Sequence, residues 1–488
     1  MFELVKISLI SLYLFAACAL MLYGLNAYVM IFLYKKGVKK AYIKRERVLN
    51  DFHKNPPLKL PNITTQIPIF NEFNVAERVI RAACKMEYPG QHEVQVLDDS
   101  TDETIELVDK VVNELQNKDF LVKVIRRDDR EGFKAGALAH GMAQSTSEFI
   151  AVFDADFVPP KDYLLKTIPY FLNNNKLGLV QTRWGHLNRK KSLLTRVQSI
   201  GIDGHFMVEQ SARNWGNLFM NFNGTAGVWR KESIVDGGGW QWDTLTEDMD
   251  LSYRVQFKGW DTFYLPNIVV PAEIPEDINA FKSQQFRWAK GSIETAIKLF
   301  PSIIKMNVSL FKKIEAFFHL THYVVHPLML ILAILALPVM SMLENLPGPL
   351  LFSFIALILL FSMSAPSALY IYSQKIAYNN WKSRIIFLPA LVVIGTGIAL
   401  SNTRAVYEAI IKKKSGFIRT PKKGDINKKS YKVQLPVSAL LEILLGAYCS
   451  VSFLAYISHE KYLVGPFLAI YAVGFLYTGF LTIFHQFK

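Results

Sequence analysis

The sequence has 488 residues, of which 51% are hydrophobic, and its formal net charge is +14 at pH 7. Its mean hydropathy of +0.18 is too high for a purely soluble protein, and its length allows a soluble domain plus a membrane domain. The excess of Lys and Arg lies beside hydrophobic stretches, which indicates positive-inside topology rather than nucleic-acid binding. The cysteines form no spacing pattern, so neither a disulfide framework nor a zinc motif is expected at Cys18, Cys84 and Cys449.

Residues 1–48 are predicted to form a membrane anchor with a basic flank. The apolar stretch Ile7–Tyr34 is long enough to cross a bilayer, and a basic segment follows it at Lys35, Lys36, Lys39, Lys40, Lys44, Arg45 and Arg47. A cleaved signal peptide is the competing interpretation, because Phe15–Cys18 resembles a lipoprotein cleavage site. Signal peptides, however, carry their charge before the apolar segment. We therefore expect an uncleaved anchor with its N-terminus outside and the chain after Lys35 in the cytosol.

Residues 60–275 are predicted to form an α/β domain after a proline-containing linker, Pro56–Pro61. Strands are expected at Ile63–Phe70, Val94–Leu97, Leu121–Ile125 and Phe149–Phe153, with a weaker one at Leu177–Val180. Helices are expected between them at Val75–Met86, Thr101–Leu115 and Lys134–Ala143. This alternation predicts a Rossmann-like, mostly parallel, doubly wound sheet. The sequence contains neither a G-x-G-x-x-G motif nor a Walker loop, so no dinucleotide or ATP cradle is indicated.

Polar side chains follow three of the predicted strands, at Asn71-Glu72, Asp98-Asp99-Ser100 and Asp154-Ala-Asp156. Ligands of parallel sheets bind beyond the carboxyl ends of the strands, so these groups are expected to gather around a nucleotide. Asp154 and Asp156 offer the hard oxygen ligands that Mg²⁺ or Mn²⁺ prefers, with substrate phosphates completing the shell. A solvated turn is the alternative for one acidic pair, but the convergence of three strand ends favours a site.

Two further clusters carry groups suited to chemistry. Thr246-Glu247-Asp248 could supply a general base, or its acidic pair could simply cap a helix N-terminus. Residues 276–315 are predicted to form amphipathic interfacial helices and contain Gln284-Gln-Phe-Arg287-Trp288. Arg binds pyrophosphate through two hydrogen bonds, and Trp offers a flat apolar surface for a sugar ring. The alternative is that this Arg-Trp pair only lies at the membrane surface, with the cation extending to water.

Residues 316–488 are predicted to form a helical membrane region, giving about five spans in all. The later spans are expected at His319–Met342, Leu350–Ser373, Val437–Ile457 and Val464–Phe484. The basic stretches Lys375–Arg384 and Lys412–Lys432 are expected inside. The apolar stretch Ile385–Leu400 lies between them, and a full crossing there would place the second basic stretch outside. Residues 385–411 are therefore predicted to be interfacial or re-entrant.

In their order and spacing, the four motifs at Asp98-Asp99-Ser100, Asp154-Ala-Asp156, Thr246-Glu-Asp248 and Gln284-Gln-Phe-Arg287-Trp288 resemble the signatures of the processive family-2 glycosyltransferases. That family includes cellulose, hyaluronan and mannan synthases. The resemblance covers residues 66–291 and extends loosely into the membrane region. The longer stretches Gln66–Glu72, Val96–Asp102 and Phe222–Arg230 are most similar to the plant cellulose-synthase-like branch, which makes β-1,4-mannan, glucomannan or the glucan backbone of xyloglucan. The resemblance implies a cytosolic GT-A domain joined to a membrane channel.

The resemblance also implies roles for individual residues. Nucleotide-sugar contacts are implied for Glu72, Asp98, Asp99, Lys134, Asp154, Gln181 and Arg287. Asp154 and Asp156 would hold Mg²⁺ or Mn²⁺. The catalytic motif would be Thr246, Glu247 and Asp248, with Asp248 as the general base. Acceptor contacts are implied for Phe222, Asn223, Gly224, Thr225, Gln284 and Trp288.

The basic loop at 412–432 contains a further resemblance. Phe417, Thr420 and Lys422 are similar to the gating loop of cellulose synthase, although Arg419 stands where that family has a valine. A plain basic loop on the inner side of the membrane is the alternative. Aromatic residues of the spans could line a polysaccharide channel or form interfacial belts, namely Tyr323, Tyr370, Tyr372, Tyr448, Tyr471 and Tyr477.

Together these features predict an inverting, processive hexosyltransferase. One positioned carboxylate would deprotonate the acceptor hydroxyl, and cations would neutralise the leaving diphosphate. The expected donors are GDP-mannose or UDP-glucose, and the product is a β-1,4-linked polysaccharide that crosses a bacterial inner membrane or a Golgi-type membrane. The alternatives are a non-processive enzyme that adds one sugar to a membrane lipid, and a transporter or receptor that only binds a nucleotide. The oligomeric state is open.

Overall fold

The structure, a computed structural model, describes residues 2–343, 350–413 and 438–486. The sequence-predicted gating residues Phe417, Thr420 and Lys422 lie outside these ranges, as does most of the basic loop at 412–432. Lys412 and Lys413 are the described residues of that loop.

The α/β domain is built on a seven-stranded sheet in the order β3-β2-β1-β4-β6-β5-β7. The strands are β1 Ile63–Ile69, β2 His92–Asp98, β3 Val122–Ile125, β4 Phe149–Val152, β5 Leu177–His186, β6 Gly227–Arg230 and β7 Asp261–Ala272. β1, β2, β3 and β4 are parallel, and β5 is parallel to β7. β6 is antiparallel to both of its neighbours. The expectation of a mostly parallel sheet is confirmed, with one reversed strand inside it.

The central strands are buried on both faces because helices cover both faces of the sheet, and β4 is apolar on both. Ile67 and Phe149 belong to one core cluster, and Ile150 and Trp229 belong to the cluster on the other side. The helices of this domain are α2 Ala76–Cys84, α3 Thr104–Gln116, α4 Phe133–Ala143, α5 Tyr163–Asn173, α6 Leu193–Gly204, α7 Gln210–Trp215, α8 Lys231–Asp236 and α9 Glu247–Phe257. A π-helical turn, His205–Glu209, joins α6 to α7.

Within the described ranges, five helices are long and apolar enough to cross a membrane, as the sequence predicts. They occupy Glu3–Lys54, Leu310–Met342, Ser353–Ala377, Ser438–Ser458 and Gly465–Phe484. A bent pair of helices, Trp381–Gly397 and Ala399–Ile410, meets at 45° and would be a sixth span if it crossed. The elements are α1 Phe2–Lys54, α11 Leu310–Thr321, α12 Val325–Leu343, α13 Leu350–Ala377, α14 Trp381–Ile385, α15 Leu388–Gly397, α16 Ala399–Ile410, α17 Ser438–Ser458 and α18 Gly465–Phe484.

Helix α1 is continuous from the apolar segment into the α/β domain. Its Gly24 lies against Ser362 of α13, where an added Cβ would be 2.7 Å from the Ser362 carbonyl oxygen. Further along, a Cβ added to Gly37 would lie 2.6 Å from the Trp215 side chain. Val48 is buried in the core of the α/β domain. One helix therefore packs on both parts of the protein.

Helix α10, Ile278–Lys305, connects the α/β domain to the membrane helices. The Asp277 side chain caps it by accepting hydrogen bonds from the backbone nitrogens of Asn279 and Ala280. Inside the membrane region, the buried Lys282 forms a 2.6 Å ion pair with Glu442 of α17. The same helix reaches the turn before α9, as described below, so it links the two regions.

Candidate active site

A cavity of about 210 Å³ opens beyond the carboxyl ends of β1, β2 and β4. It brings together most of the site residues that the sequence analysis singled out, although they come from widely separated parts of the chain. These residues are Glu72, Asp99, Lys134, Asp154, Asp156, Asn223, Gly224, Thr246, Glu247, Asp248, Gln284, Arg287 and Trp288. The Arg-Trp motif of α10 thus shares one cavity with the acidic strand ends.

Lys134 lies in the first turn of α4, and its ammonium group neutralises the acidic side of the cavity. The helix follows Gly132, whose φ of 69° is in the left-handed region and which packs so closely on Trp242 that a Cβ would lie 2.6 Å from that ring. Lys134 Nζ donates to Asp154 Oδ1 at 2.5 Å and to the Gly224 carbonyl oxygen at 2.8 Å. Burial opposes the charge, but the carboxylates around it, above all Asp154, raise the pKa of Lys134. Lys134 is therefore charged at neutral pH.

Asp248 lies in the first turn of α9 beside Gly224. Its Oδ1 accepts a 2.8 Å hydrogen bond from the Met249 nitrogen, so the helix-capping interpretation and the acid–base interpretation apply to the same side chain. A Cβ on Gly224, which has a φ of 80°, would lie 3.1 Å from Asp248 Oδ2 and 3.4 Å from Lys134 Nζ. Burial, and then the charge of Glu247, raise the pKa of Asp248 to about 8. Such a carboxyl exchanges a proton near physiological pH.

Helix α10 supplies the opposite wall of the cavity. Burial lowers the pKa of Arg287 to about 10, although Glu247, Asp154 and Glu72 act in the other direction, so its guanidinium is charged. The ring of Trp288 lies 6.4 Å from that of Trp184, with an angle of 54° between their planes. A cation and two aromatic rings therefore line the same cavity as the carboxylates.

Close packing holds α10 against the turn before α9. A Cβ on Gly291 would lie 2.6 Å from Thr246 Cγ2 and 2.8 Å from the Thr246 backbone nitrogen. The Leu245 nitrogen donates to Glu294 Oε2 at 2.9 Å, and the hydroxyls of Thr246 and Thr295 are 3.1 Å apart. Thr246 lines the cavity and also forms this contact between helices.

The two aspartates at the end of β2 occupy different environments. Asp99 lines the cavity, and both of its oxygens accept from Arg127, at 3.0 and 2.5 Å. Asp98 is buried and does not line the cavity. Its oxygens accept from Arg126 Nε and the Ser100 nitrogen. Asp98 therefore stabilises the strand end, and its implied contact with a nucleotide sugar stays a prediction.

Gln181, Phe222 and Thr225 are fully buried and lie behind the cavity wall. Gln181 donates to the carbonyl oxygen of Thr225 and accepts from the nitrogen of Asn223. The Thr225 hydroxyl accepts from the Asp154 nitrogen at 2.9 Å. These side chains position the segment 223–225 and the end of β4, and their implied direct contacts with substrate stay predictions.

The cavity is also lined by residues that were not singled out from the sequence, among them Arg130, Trp184, His186 and Glu273. Arg130 lies 3.2 Å from the centroid of the Phe70 ring, and Glu273 forms a 2.7 Å ion pair with Arg78. His186 Nε2 lies 3.1 Å from Asp203 Oδ1, and Asp203 also accepts from Arg384 at 3.0 Å. Glu273 follows β7 directly and His186 ends β5, so the rule that polar groups at strand ends form sites would have found both if these strands had been predicted in full.

The acidic pair after β4 is suited to a divalent cation. Asp154 and Asp156 both line the cavity, and about a third of the Asp154 side chain is accessible. No group of three or more His, Cys, Asp or Glu that could hold a metal ion occurs in the described part of the chain. Mg²⁺ and Mn²⁺ are commonly held by one or two carboxylates, with phosphates and water as the other ligands. The donor set therefore fits an ion that binds together with a diphosphate.

Comparisons with known proteins identify relatives of this chain. Residues 61–291 match the model of "Glycosyltransferase like family 2". Glucomannan 4-beta-mannosyltransferase 9 of Arabidopsis thaliana is 34% identical over 433 residues, which cover 85% of this chain and 80% of that protein. Glucomannan 4-beta-mannosyltransferase 7 of the same plant is 33% identical over 470 residues, covering 92% and 82%.

Among solved structures, a mannosyltransferase from Pyrobaculum calidifontis in complex with GDP-Man and Mn²⁺ is 17% identical with a TM-score of 0.48. The alignment covers 80% of this chain and 99% of that one. The family match and the observed sheet confirm the expected GT-A domain. With relatives of this similarity over most of its length, the chain belongs to glycosyltransferase family 2, on the branch of the glucomannan 4-beta-mannosyltransferases.

Proposed function

We propose that this protein transfers mannosyl groups from GDP-mannose to the end of a β-1,4-linked mannan or glucomannan. UDP-glucose is the second donor to be tested. The observation that carries the proposal is the position of Asp248. Its Oδ2 lies beside Gly224, whose carbonyl oxygen accepts from Lys134, the cation paired with Asp154. A base for the acceptor and a cation for the donor diphosphate thus share one cavity. The relatives' names favour mannose as the transferred sugar.

The reaction follows from these groups. Asp248 takes the proton of the attacking acceptor hydroxyl as that oxygen bonds to the anomeric carbon of the donor. The bond from that carbon to the diphosphate oxygen breaks, and the diphosphate leaves with the electron pair. Lys134 and Arg287, both charged, stabilise the negative charge that develops on it. A single displacement inverts an α-linked donor into a β-linked product.

Asp154 and Asp156 would hold Mg²⁺ or Mn²⁺ against the donor diphosphate. When bound, such an ion supplies additional neutralisation of the leaving group. Trp288 offers its ring to the acceptor sugar on the opposite wall, next to Trp184. Asp99 and Glu72 lie at the ends of β2 and β1, where the nucleoside of the donor would bind.

We propose further that the enzyme is processive and passes its product through its own membrane helices. This proposal is supported by α10, which carries Gln284 and Trp288 in the cavity and also packs on the membrane helix α17 through Lys282. The α/β domain would lie in the cytosol and the N-terminus outside, because the basic flank of α1 would then face inward. The membrane would be a bacterial inner membrane or a Golgi-type membrane.

The test is to incubate membranes containing the full chain with radiolabelled GDP-mannose or UDP-glucose and Mg²⁺ or Mn²⁺. We expect a polymer that a β-1,4-mannanase degrades, and no polymer with Asp248→Asn. A product consisting only of monoglycosylated lipid would show that the protein transfers a single sugar instead of extending a polymer. Donor binding without any transfer would indicate a nucleotide-binding receptor or transporter.

A further inference from the structure

A polar pair next to the cavity is not used in the reaction described above. The helical segment from α6 through α7 contains the π-helical turn His205–Glu209. Such turns are rare and frequently occur at functional sites. This one places His205 Nδ1 2.9 Å from Glu209 Oε2. Its apolar residues Met207 and Val208 are buried in a cluster with α1 and α13, so the polar pair faces away from that packing.

Hydrogen bonds connect this pair to the cavity wall. Asn223 Nδ2 lies 3.0 Å from His205 Nε2, and Gln210 Nε2 donates to Asn223 Oδ1 at 2.5 Å. Because Asn223 donates to Nε2, the other ring nitrogen of His205 carries the proton and donates to Glu209. Asn223 lines the cavity and directly precedes Gly224, the neighbour of Asp248. Glu209 is therefore two hydrogen bonds away from the cavity wall.

Glu209 is only partly covered by its neighbours. Burial is the largest influence on its pKa, but the hydrogen bond from His205 holds the pKa below the ordinary value. At the same time, 40% of the Glu209 side chain and 28% of the His205 side chain are accessible. His322, Tyr323 and Tyr370 of the membrane region are close enough to interact electrostatically with Glu209. A charged carboxylate with accessible surface thus lies near imidazole and phenol groups of the membrane region.

A saccharide suits this chemistry. A carboxylate accepts charge-assisted hydrogen bonds from sugar hydroxyls, and the neighbouring aromatic side chains offer apolar surfaces to the ring faces. Through Asn223, the pair adjoins the cavity in which the acceptor hydroxyl would face Asp248. We propose that Glu209 and His205 form an acceptor subsite that binds hydroxyls of the sugar units preceding the terminal one. The proposal rests on the proposed function.

Three variants test the subsite in membranes containing the full chain, namely Glu209→Gln, Glu209→Asp and His205→Ala. We would measure transfer to manno-oligosaccharides of increasing length, the KM for donor and for acceptor separately, and GDP release from GDP-mannose without acceptor. For Glu209→Gln we expect about a tenfold or larger rise in acceptor KM, because a hydrogen bond to a charged group is lost. The donor KM and the acceptor-independent GDP release should stay unchanged, and Glu209→Asp should be intermediate.

The matched control is Glu77→Gln, which removes a glutamate from another pair spaced by four residues, with Arg81 on the surface of α2. An unchanged acceptor KM in Glu209→Gln would overturn the subsite. So would a parallel loss of acceptor-independent GDP release and thermal stability, because that result indicates a purely structural pair. If the wild-type protein transferred no sugar from either donor to any acceptor, the proposed function itself would fail, and the subsite with it.

Discussion

Gly291 and Thr246 are in such close contact that a Cβ on the glycine would lie 2.8 Å from the threonine backbone nitrogen. This contact joins the helix that carries Arg287 and Trp288 to the turn that carries Asp248. Together with the hydrogen bonds from Leu245 to Glu294 and between Thr246 and Thr295, this contact sets the separation of the two walls of the cavity.

Gly291→Ala should force α10 away from the turn and reduce transfer, because an extra methyl in a packed contact costs about 1–3 kcal/mol. The matched control is Gly395→Ala in α15, where an added Cβ would have no neighbour within 4 Å. Thermal unfolding in detergent and transfer assays in membranes would compare the two variants. Equal activity of both would show that the contact does not set the position of the catalytic turn.

Asp248→Asn should reduce the transfer rate by on the order of 10²- to 10⁴-fold, because an amide cannot accept the hydroxyl proton. Donor affinity should change little, since Lys134 and Arg287 remain. Asp243→Asn is the control, because Asp243 is exposed and pairs with Lys298. Single-turnover rates and donor binding would be measured together. A variant that loses donor binding as strongly as turnover would argue against a role in proton transfer.

The pH dependence of transfer should reflect the raised pKa of Asp248. Only the deprotonated carboxylate acts as a base, so kcat/KM should rise with pH and level off above about 8. Glu247→Gln removes a neighbouring negative charge that raises this pKa. The rise should then shift to lower pH, by on the order of one unit. A profile with the same midpoint in both proteins would mean that another group limits the reaction.

Chelation should abolish transfer, and added Mg²⁺ or Mn²⁺ should restore it. Asp156→Asn should raise the metal concentration needed for half-maximal activity, because an amide oxygen carries no charge. Asp162→Asn serves as the control, since Asp162 is half-exposed and pairs with Lys166 on the surface. Metal titrations at a fixed donor concentration would compare the metal requirement of Asp156→Asn with that of Asp162→Asn. Identical metal requirements would remove Asp156 from the proposed metal site.

Arg384→Gln should destabilise the protein through Asp203. The buried Asp203 accepts from Arg384, Gln374 and His186, so loss of the cation leaves an uncompensated buried charge, at a cost of about 3–5 kcal/mol. Lys382→Ala in the same short helix is the control, because Lys382 is exposed. The thermal unfolding temperatures of Arg384→Gln and Lys382→Ala would be compared. A small decrease for Arg384→Gln would indicate that water replaces the lost partner.

The sequence predicted β1, β2 and β4, the strands that are followed by polar groups. It predicted only part of β5 and neither β6 nor β7. β4 is a buried apolar run, and β1 and β2 contain β-branched residues mixed with buried Thr or Gln, so composition together with the polar residues that follow marks these strands. β7 contains Pro266 and Pro271, which normally argue against a strand. It is nevertheless stable because it lies at the edge of the sheet, where missing backbone donors are tolerated.

Other features depend on contacts that a single sequence does not encode locally. β6 has only four residues and pairs in the opposite direction between β4 and β5, so neither its length nor its periodicity marks it. Asp98 and Asp99 are adjacent in the chain, but their separate pairing with Arg126 and Arg127 decides which one faces the cavity. The π-helical turn at His205–Glu209 also gave no signal, because its residues have ordinary helical character.

Helix α1 has 53 residues, so at 1.5 Å per residue it is about 80 Å long, more than twice the roughly 30 Å hydrocarbon thickness of a bilayer. Because it packs without interruption from Gly24 to Val48, a tilt of this rod in the lipid would move the α/β domain with it. Lipid thickness and lateral pressure would then act directly on the catalytic domain, and the enzyme's rate would become a function of the membrane in which it is placed.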